Sequence, residues 1–163
     1  MKRLIYDQLL AWKDHSQRKP LLLEGVRQCG KTYILKKFGA ENYQDVAYFN
    51  FEGNQTLQKI FETDLDPNRI IQELAIIHKK AILPKTTLLI FDEIQFSNAA
   101  VTSLKYFYEN RPDYHLVCAG SLLGVALSKP LSFPVGKVDF LTMRPLNSTK
   151  WLVRWVRLRL RGR

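Results

Sequence analysis

The sequence predicts an α/β domain built on a parallel β-sheet, and three observations predict it. Short apolar runs of strand character recur at 21–23, 46–51, 87–91, 114–119 and 138–142. Segments of helical periodicity lie between most of them, so successive strands run parallel through right-handed crossovers. The first run ends in a glycine-bearing loop, 25–32, that opens directly into a helix pattern. Helices on both faces explain why Leu88-Leu89-Ile90-Phe91 is apolar at every position. A length of 163 residues with 46% hydrophobic content suits one domain with a sizeable core.

In chain order, Ile5, Leu9 and Trp12 form an i, i+4, i+7 stripe that predicts a helix over 2–13. Asp14 to Lys19 is a polar break, and Pro20 opens the first core strand. Tyr33-Ile34-Leu35-Lys36-Lys37 begins the next helix, which is expected to stop near Gly39. Val46-Ala47-Tyr48-Phe49-Asn50-Phe51 reads as the second strand. Asp66-Pro67 has the form of an N-cap with proline at the first helical position, starting a helix with Ile70, Leu74 and Ile77 on one face. Thr87–Phe91 is the third strand, and Ser97 caps a helix that should bury Val101, Leu104 and Tyr108. Tyr114–Ala119 is the fourth strand, followed by Gly120-Ser121 and a short helical stretch, Leu122–Leu127. Val138–Thr142 is the fifth. No internal repeat or low-complexity linker interrupts the series.

Ligands of such sheets bind beyond the carboxyl ends of the strands. After the first strand, Gly25-Val26-Arg27-Gln28-Cys29-Gly30-Lys31-Thr32 has the spacing G-x-x-x-x-G-K-[ST] of a phosphate-binding loop. Gly25 and Gly30 are expected to allow positive φ and a close backbone approach to phosphate. Successive N–H groups then converge on the anion together with the helix N-terminus. Lys31 is positioned for the β- and γ-phosphates, and the Thr32 hydroxyl for Mg²⁺. After the third strand comes Asp92-Glu93, a Walker B pattern. Asp92 is a second Mg²⁺ ligand, direct or through water, and Glu93 can polarise a water for in-line attack on the γ-phosphate. Ser121, just past the fourth strand, is a candidate to sense that phosphate or position the water.

These three segments, Gly25–Thr32, Ile90–Gln95 and Ala119–Gly124, resemble the AAA-type domain of prokaryotic P-loop ATPases. The resemblance covers roughly residues 3–146. It implies a three-layer sandwich whose five-stranded parallel sheet has the order 5-1-4-3-2. It also implies Lys31 on phosphate, Thr32 and Asp92 on Mg²⁺, Glu93 as the catalytic carboxylate and Ser121 as a sensor. Gln95 matches a family position. Where the family often has Gly-Arg, this chain has Gly136-Lys137, and a lysine cannot reproduce a bidentate arginine contact.

The expected activity is therefore Mg²⁺-dependent ATP hydrolysis coupled to a partner. One alternative is a nucleotide-binding module with little turnover, because the family's lid and effector regions do not follow residue 146. A second is a small-molecule P-loop kinase, against which Asp92-Glu93 and the intervening second strand both argue. The expected partners are ATP and either a protein client or further copies of the chain.

The net charge of +10 raises nucleic acid as another partner. Residues 148–163, however, hold six of the 25 Lys and Arg and no acid, which leaves +4 on the rest. This tail is read as lying outside the 1–147 domain, as a reading-frame shift near Asn147 would leave it. The start of the chain meets Asp7 too early for a secretory apolar core, and no apolar run approaches the roughly 20 residues that cross a bilayer. Cys29 and Cys118 are expected as free thiols in a reducing cytoplasm. His15, His78 and His115 show no metal-ligand spacing.

Overall fold

The computed structural model describes residues 2–120, 134–146 and 150–155. The chain runs α1 (Lys2–Asp14), β1 (Leu21–Gly25), α2 (Lys31–Asn42), β2 (Asp45–Asn50), α3 (Gln55–Thr63), α4 (Pro67–His78) and β3 (Thr87–Asp92). A 3₁₀ turn at Ile94–Phe96 leads to α5 (Asn98–Asn110), β4 (His115–Gly120), β5 (Asp139–Leu146) and β6 (Lys150–Trp155). The sheet order is β2-β3-β4-β1-β5-β6. Its first five strands are parallel, and read from the other edge they have the expected order 5-1-4-3-2. β6 adds an antiparallel strand to β5, with Leu146 opposite Lys150 and Leu141 opposite Trp155. Part of the segment that composition sets apart is thus hydrogen-bonded to the sheet edge.

Apolar strands bury residues on both faces, as a sheet between two helical layers requires. On one face Leu21, Leu23, Leu88, Ile90 and Val117 meet α1 through Ile5, Leu9 and Trp12, and α2 through Ile34, Leu35 and Phe38. On the other, Leu22, Leu89 and Leu116 meet α3, α4 and α5. Phe91 lies at the centre of that second layer, edge-on to Phe49, Phe51, Phe61 and Phe107 with centroids 5.5–6.3 Å away.

Several local expectations need correction. α2 passes through Gly39 and ends at Asn42. A Cβ on Gly39 would come 2.6 Å from Val46 Cγ2 and 3.0 Å from Leu88 Cδ2, so glycine lets the helix lie against the sheet. α3 has no counterpart in the sequence reading. The Asn54 side chain accepts from Leu57 N at 3.0 Å to cap it, and Leu57, Ile60 and Phe61 anchor it. α4 starts at the expected Asp66 cap but buries Ile70, Ile71 and Leu74, leaving Ile77 44% exposed. Ser97 caps α5 by accepting from Ala100 N at 3.1 Å. The buried stripe there is Val101, Leu104 and Phe107, and Tyr108 is only half-buried. The 122–127 stretch lies outside the described residues.

Candidate functional site

β4 inserts between β1 and β3, so β1 is flanked by strands from distant parts of the chain. The carboxyl ends of β1 and β3, one strand apart, carry both candidate motifs. Gly25 closes β1 against β5, where a Cβ would meet Met143 O at 2.8 Å and Cys29 Sγ at 3.1 Å. Close approach, rather than positive φ, is what this glycine supplies. The left-handed residues of the loop are Gln28 (φ 60°) and Gly30 (φ 88°). Gly30 also starts α2 by accepting from Ile34 N at 3.0 Å, which turns the first helical N–H groups toward the loop.

Lys31 folds back beneath this loop and is only 6% exposed. Its Nζ donates to Gly25 O at 2.9 Å and Val26 O at 2.8 Å, with Cys29 Sγ at 3.6 Å. It forms no ion pair with a carboxylate among the described residues. A buried ammonium held by neutral groups alone favours the arrival of an anion. Arg27, by contrast, lies at the surface with Glu52 at 3.7 Å, and Val26 is exposed.

Asp92 is 3% exposed and hydrogen-bonded at both carboxylate oxygens. Its Oδ2 accepts from Thr32 Oγ1 at 2.6 Å and from Tyr48 OH at 2.5 Å, while Oδ1 accepts from Glu93 N at 2.9 Å. The parallel register pairs Asn50 with Asp92, and Tyr48 shares Asn50's side of β2. Burial, then the hydrogen bond and charge of Asp92, push the Tyr48 phenol above its ordinary pKa. Tyr48 is the contact of Asp92 that motif reading missed. The available signal was a hydroxyl set among the apolar residues Val46, Ala47 and Phe49.

Glu93 is left-handed (φ 53°), and its Oε2 accepts from Gln95 Nε2 at 2.5 Å. The carboxylate fixes the amide orientation, because the reverse would oppose two oxygens. Gln95 Oε1 is buried without a hydrogen-bond partner. Thus Lys31, Thr32, Asp92 and Glu93 gather at one end of the sheet. Ser121 lies outside the described residues. Lys137 stands just before β5, at the opposite end of the sheet, and pairs with Glu109 at 3.5 Å.

Thr32 and Asp92 together offer the hard oxygen donors that a small divalent cation such as Mg²⁺ takes. No group of three His, Cys, Asp or Glu side chains forms a self-contained metal centre among the described residues. Two protein oxygens with the remaining positions open suit a cation that arrives with phosphate oxygens.

A glycine-bearing strand-to-helix loop, a buried lysine and a strand-end aspartate on a 5-1-4-3-2 sheet define the P-loop nucleotide-binding class. The chain belongs to the AAA domain family, whose model matches residues 17–152, and is an ATPase-like nucleotide-binding module. The solved structure of the Aeropyrum pernix ORC1 protein in complex with DNA is similar, with TM-score 0.53 and 16% identity over 86% of this chain and 43% of that one. The structure of C. elegans PCH-2 gives TM-score 0.46 and 19% identity over 85% of this chain and 41% of that one. The chain therefore spans less than half of either protein. No curated protein matches the chain by sequence. No helix among the described residues is long and apolar enough to cross a membrane.

Proposed function

We propose that the domain binds ATP with Mg²⁺ in the cytoplasm and hydrolyses it to ADP and phosphate. The observation that carries this reading is the gathering of Lys31, Thr32, Asp92 and Glu93 at one end of the sheet. Lys31 exchanges its carbonyl partners for β- and γ-phosphate oxygens, and the N–H groups of residues 28–32 cradle the same anion. Thr32 and Asp92 are the residues to hold Mg²⁺, which when bound withdraws charge from the phosphate oxygens. Glu93 orients the attacking water and accepts its proton, and the hydrogen bond from Gln95 to Oε2 competes with water for that carboxylate. Ser121, next in sequence after Gly120, is the candidate γ-phosphate sensor.

The hydrogen bond from Gln95 favours a second reading, in which the chain binds nucleotide with little turnover until a client or another copy releases Glu93. DNA is bound in the ORC1 structure, and nucleic acid is a candidate partner here on that likeness and the basic charge. The catalytic unit proposed is 1–147, with 148–163 outside the nucleotide machinery. Phosphate release from ATP, measured with water alone and with added phosphoryl acceptors, tests these readings. Release that needs no acceptor supports the ATPase, and tight binding without release supports the module. Transfer to an acceptor would make the protein a kinase.

A further inference from the structure

Tyr48 belongs to neither motif, yet its hydroxyl donates to the same Asp92 oxygen that Thr32 reaches. Thr32 and Lys36 lie one turn apart on α2, and the Lys36 ammonium sits 3.8 Å from the centroid of the Tyr48 ring. The helix that carries the phosphate loop therefore contacts Asp92 twice, directly through Thr32 and indirectly through Tyr48. We infer that Tyr48 is a positioning residue for Asp92, holding the carboxylate in its metal-binding orientation from the β2 side while Thr32 also serves a cation. This rests on the proposed Mg-nucleotide reading.

The two hydrogen bonds on Oδ2 differ in what happens to them. A hydroxyl has one proton and two lone pairs, so Thr32 can turn a lone pair to a cation while still donating to Asp92, but its position must then satisfy both groups. Tyr48 approaches from β2 and has no such conflict. Its bond holds the buried carboxylate in orientation whatever adjustment Thr32 makes to the metal. Ligating carboxylates are commonly held by hydrogen bonds of this kind, and removing the partner costs about 10–100-fold in metal affinity or activity.

The test is calorimetric ATP binding to the full chain, in EDTA and across a Mg²⁺ titration, for the parent and Tyr48→Phe. The variant should keep its metal-free ATP affinity within about twofold while its Mg²⁺ midpoint rises about tenfold. A purely structural role would lower the melting temperature or the metal-free affinity without a selective change in the midpoint. An unchanged midpoint in Tyr48→Phe, with the parent responding to Mg²⁺, overturns the inference alone. A parent that binds no ATP in either condition overturns the nucleotide reading and this inference with it. Should Tyr48→Phe fail to fold, Lys36→Met frees the ring but keeps the hydroxyl. A midpoint raised about two- to threefold then supports the assignment, and an unmoved one overturns it.

Discussion

At the amino-terminal ends of the strands, polar side chains come in matched pairs; at the carboxyl ends, two buried charges of opposite sign, Lys31 and Asp92, stand without counter-ions among the described residues. Tyr43 OH meets His115 Nδ1 at 2.6 Å, and Asp45 Oδ2 meets His78 Nε2 at 2.6 Å. Arg111 grips Asp113 with two contacts of 3.0 and 3.1 Å. Across the sheet, Lys31 rests on two carbonyls and a thiol, and Asp92 on two hydroxyls and an amide. Both are more than nine-tenths buried, and they form no ion pair with each other. Keeping a buried cation and anion apart is costly, since direct pairing would offset part of their desolvation. The arrangement suits a ligand that carries both signs, an anionic phosphate chain with its divalent cation.

The sharpest break of this contrast is Glu93→Gln. Turnover should fall about a hundredfold, about 2.7 kcal/mol, while Mg-ATP binding persists, because Thr32 and Asp92 are untouched. Unchanged phosphate release would reduce Glu93 to a strand-end carboxylate. Lys31→Ala comes next, with ATP affinity weakened at least tenfold, about 1.4 kcal/mol, by calorimetry. No other described lysine occupies the loop interior, so equal affinity would remove residues 25–32 from the site.

At the other end of the sheet the same kind of change should affect stability alone. Tyr43→Phe leaves His115 without its partner and should cost roughly 1 kcal/mol in denaturant unfolding, with ATP affinity unaltered. His115 adds a dependence on pH. Burial, followed by the charges of Arg18, Lys13 and Lys85, pushes it down from 6.5 to about 4. Unfolded chain then takes up a proton that folded chain refuses, so stability is full above pH 6.5 and is lost as pH falls toward 4. Thermal unfolding across that window should show the decline, and His115→Asn should flatten part of it. Deleting 148–163 should leave ATP affinity within about twofold, because β5 stands between β6 and the strand that carries the loop.

Much of the site was legible because its parts are local. The loop spacing and the strand-end Asp92-Glu93 are short patterns with mechanical reasons, and the strands are apolar because both faces are covered. What was illegible depended on contacts between distant segments. Gly39 reads as a helix stop, but Val46 and Leu88 require it inside the helix. Ile77 fits the apolar stripe of α4 but lies at the surface, because the helix is rotated to bury Ile71. Tyr48 could not be matched to Asp92 before the β2–β3 register was known.

The sequence by itself determined the class of the sheet, and it singled out the glycine-bearing loop and Lys31, Thr32, Asp92 and Glu93 as candidates. Each follows from backbone sterics, hydrophobic periodicity or side-chain chemistry within a few residues. Only the tertiary structure decided that Gly25 serves close packing against β5, that Gln95 holds Glu93, and that Thr32 and Tyr48 share one oxygen of Asp92. Hydrogen bonds act over about 3 Å, and partners 60 residues apart, such as Thr32 and Asp92, come within that range only when packing fixes the strands.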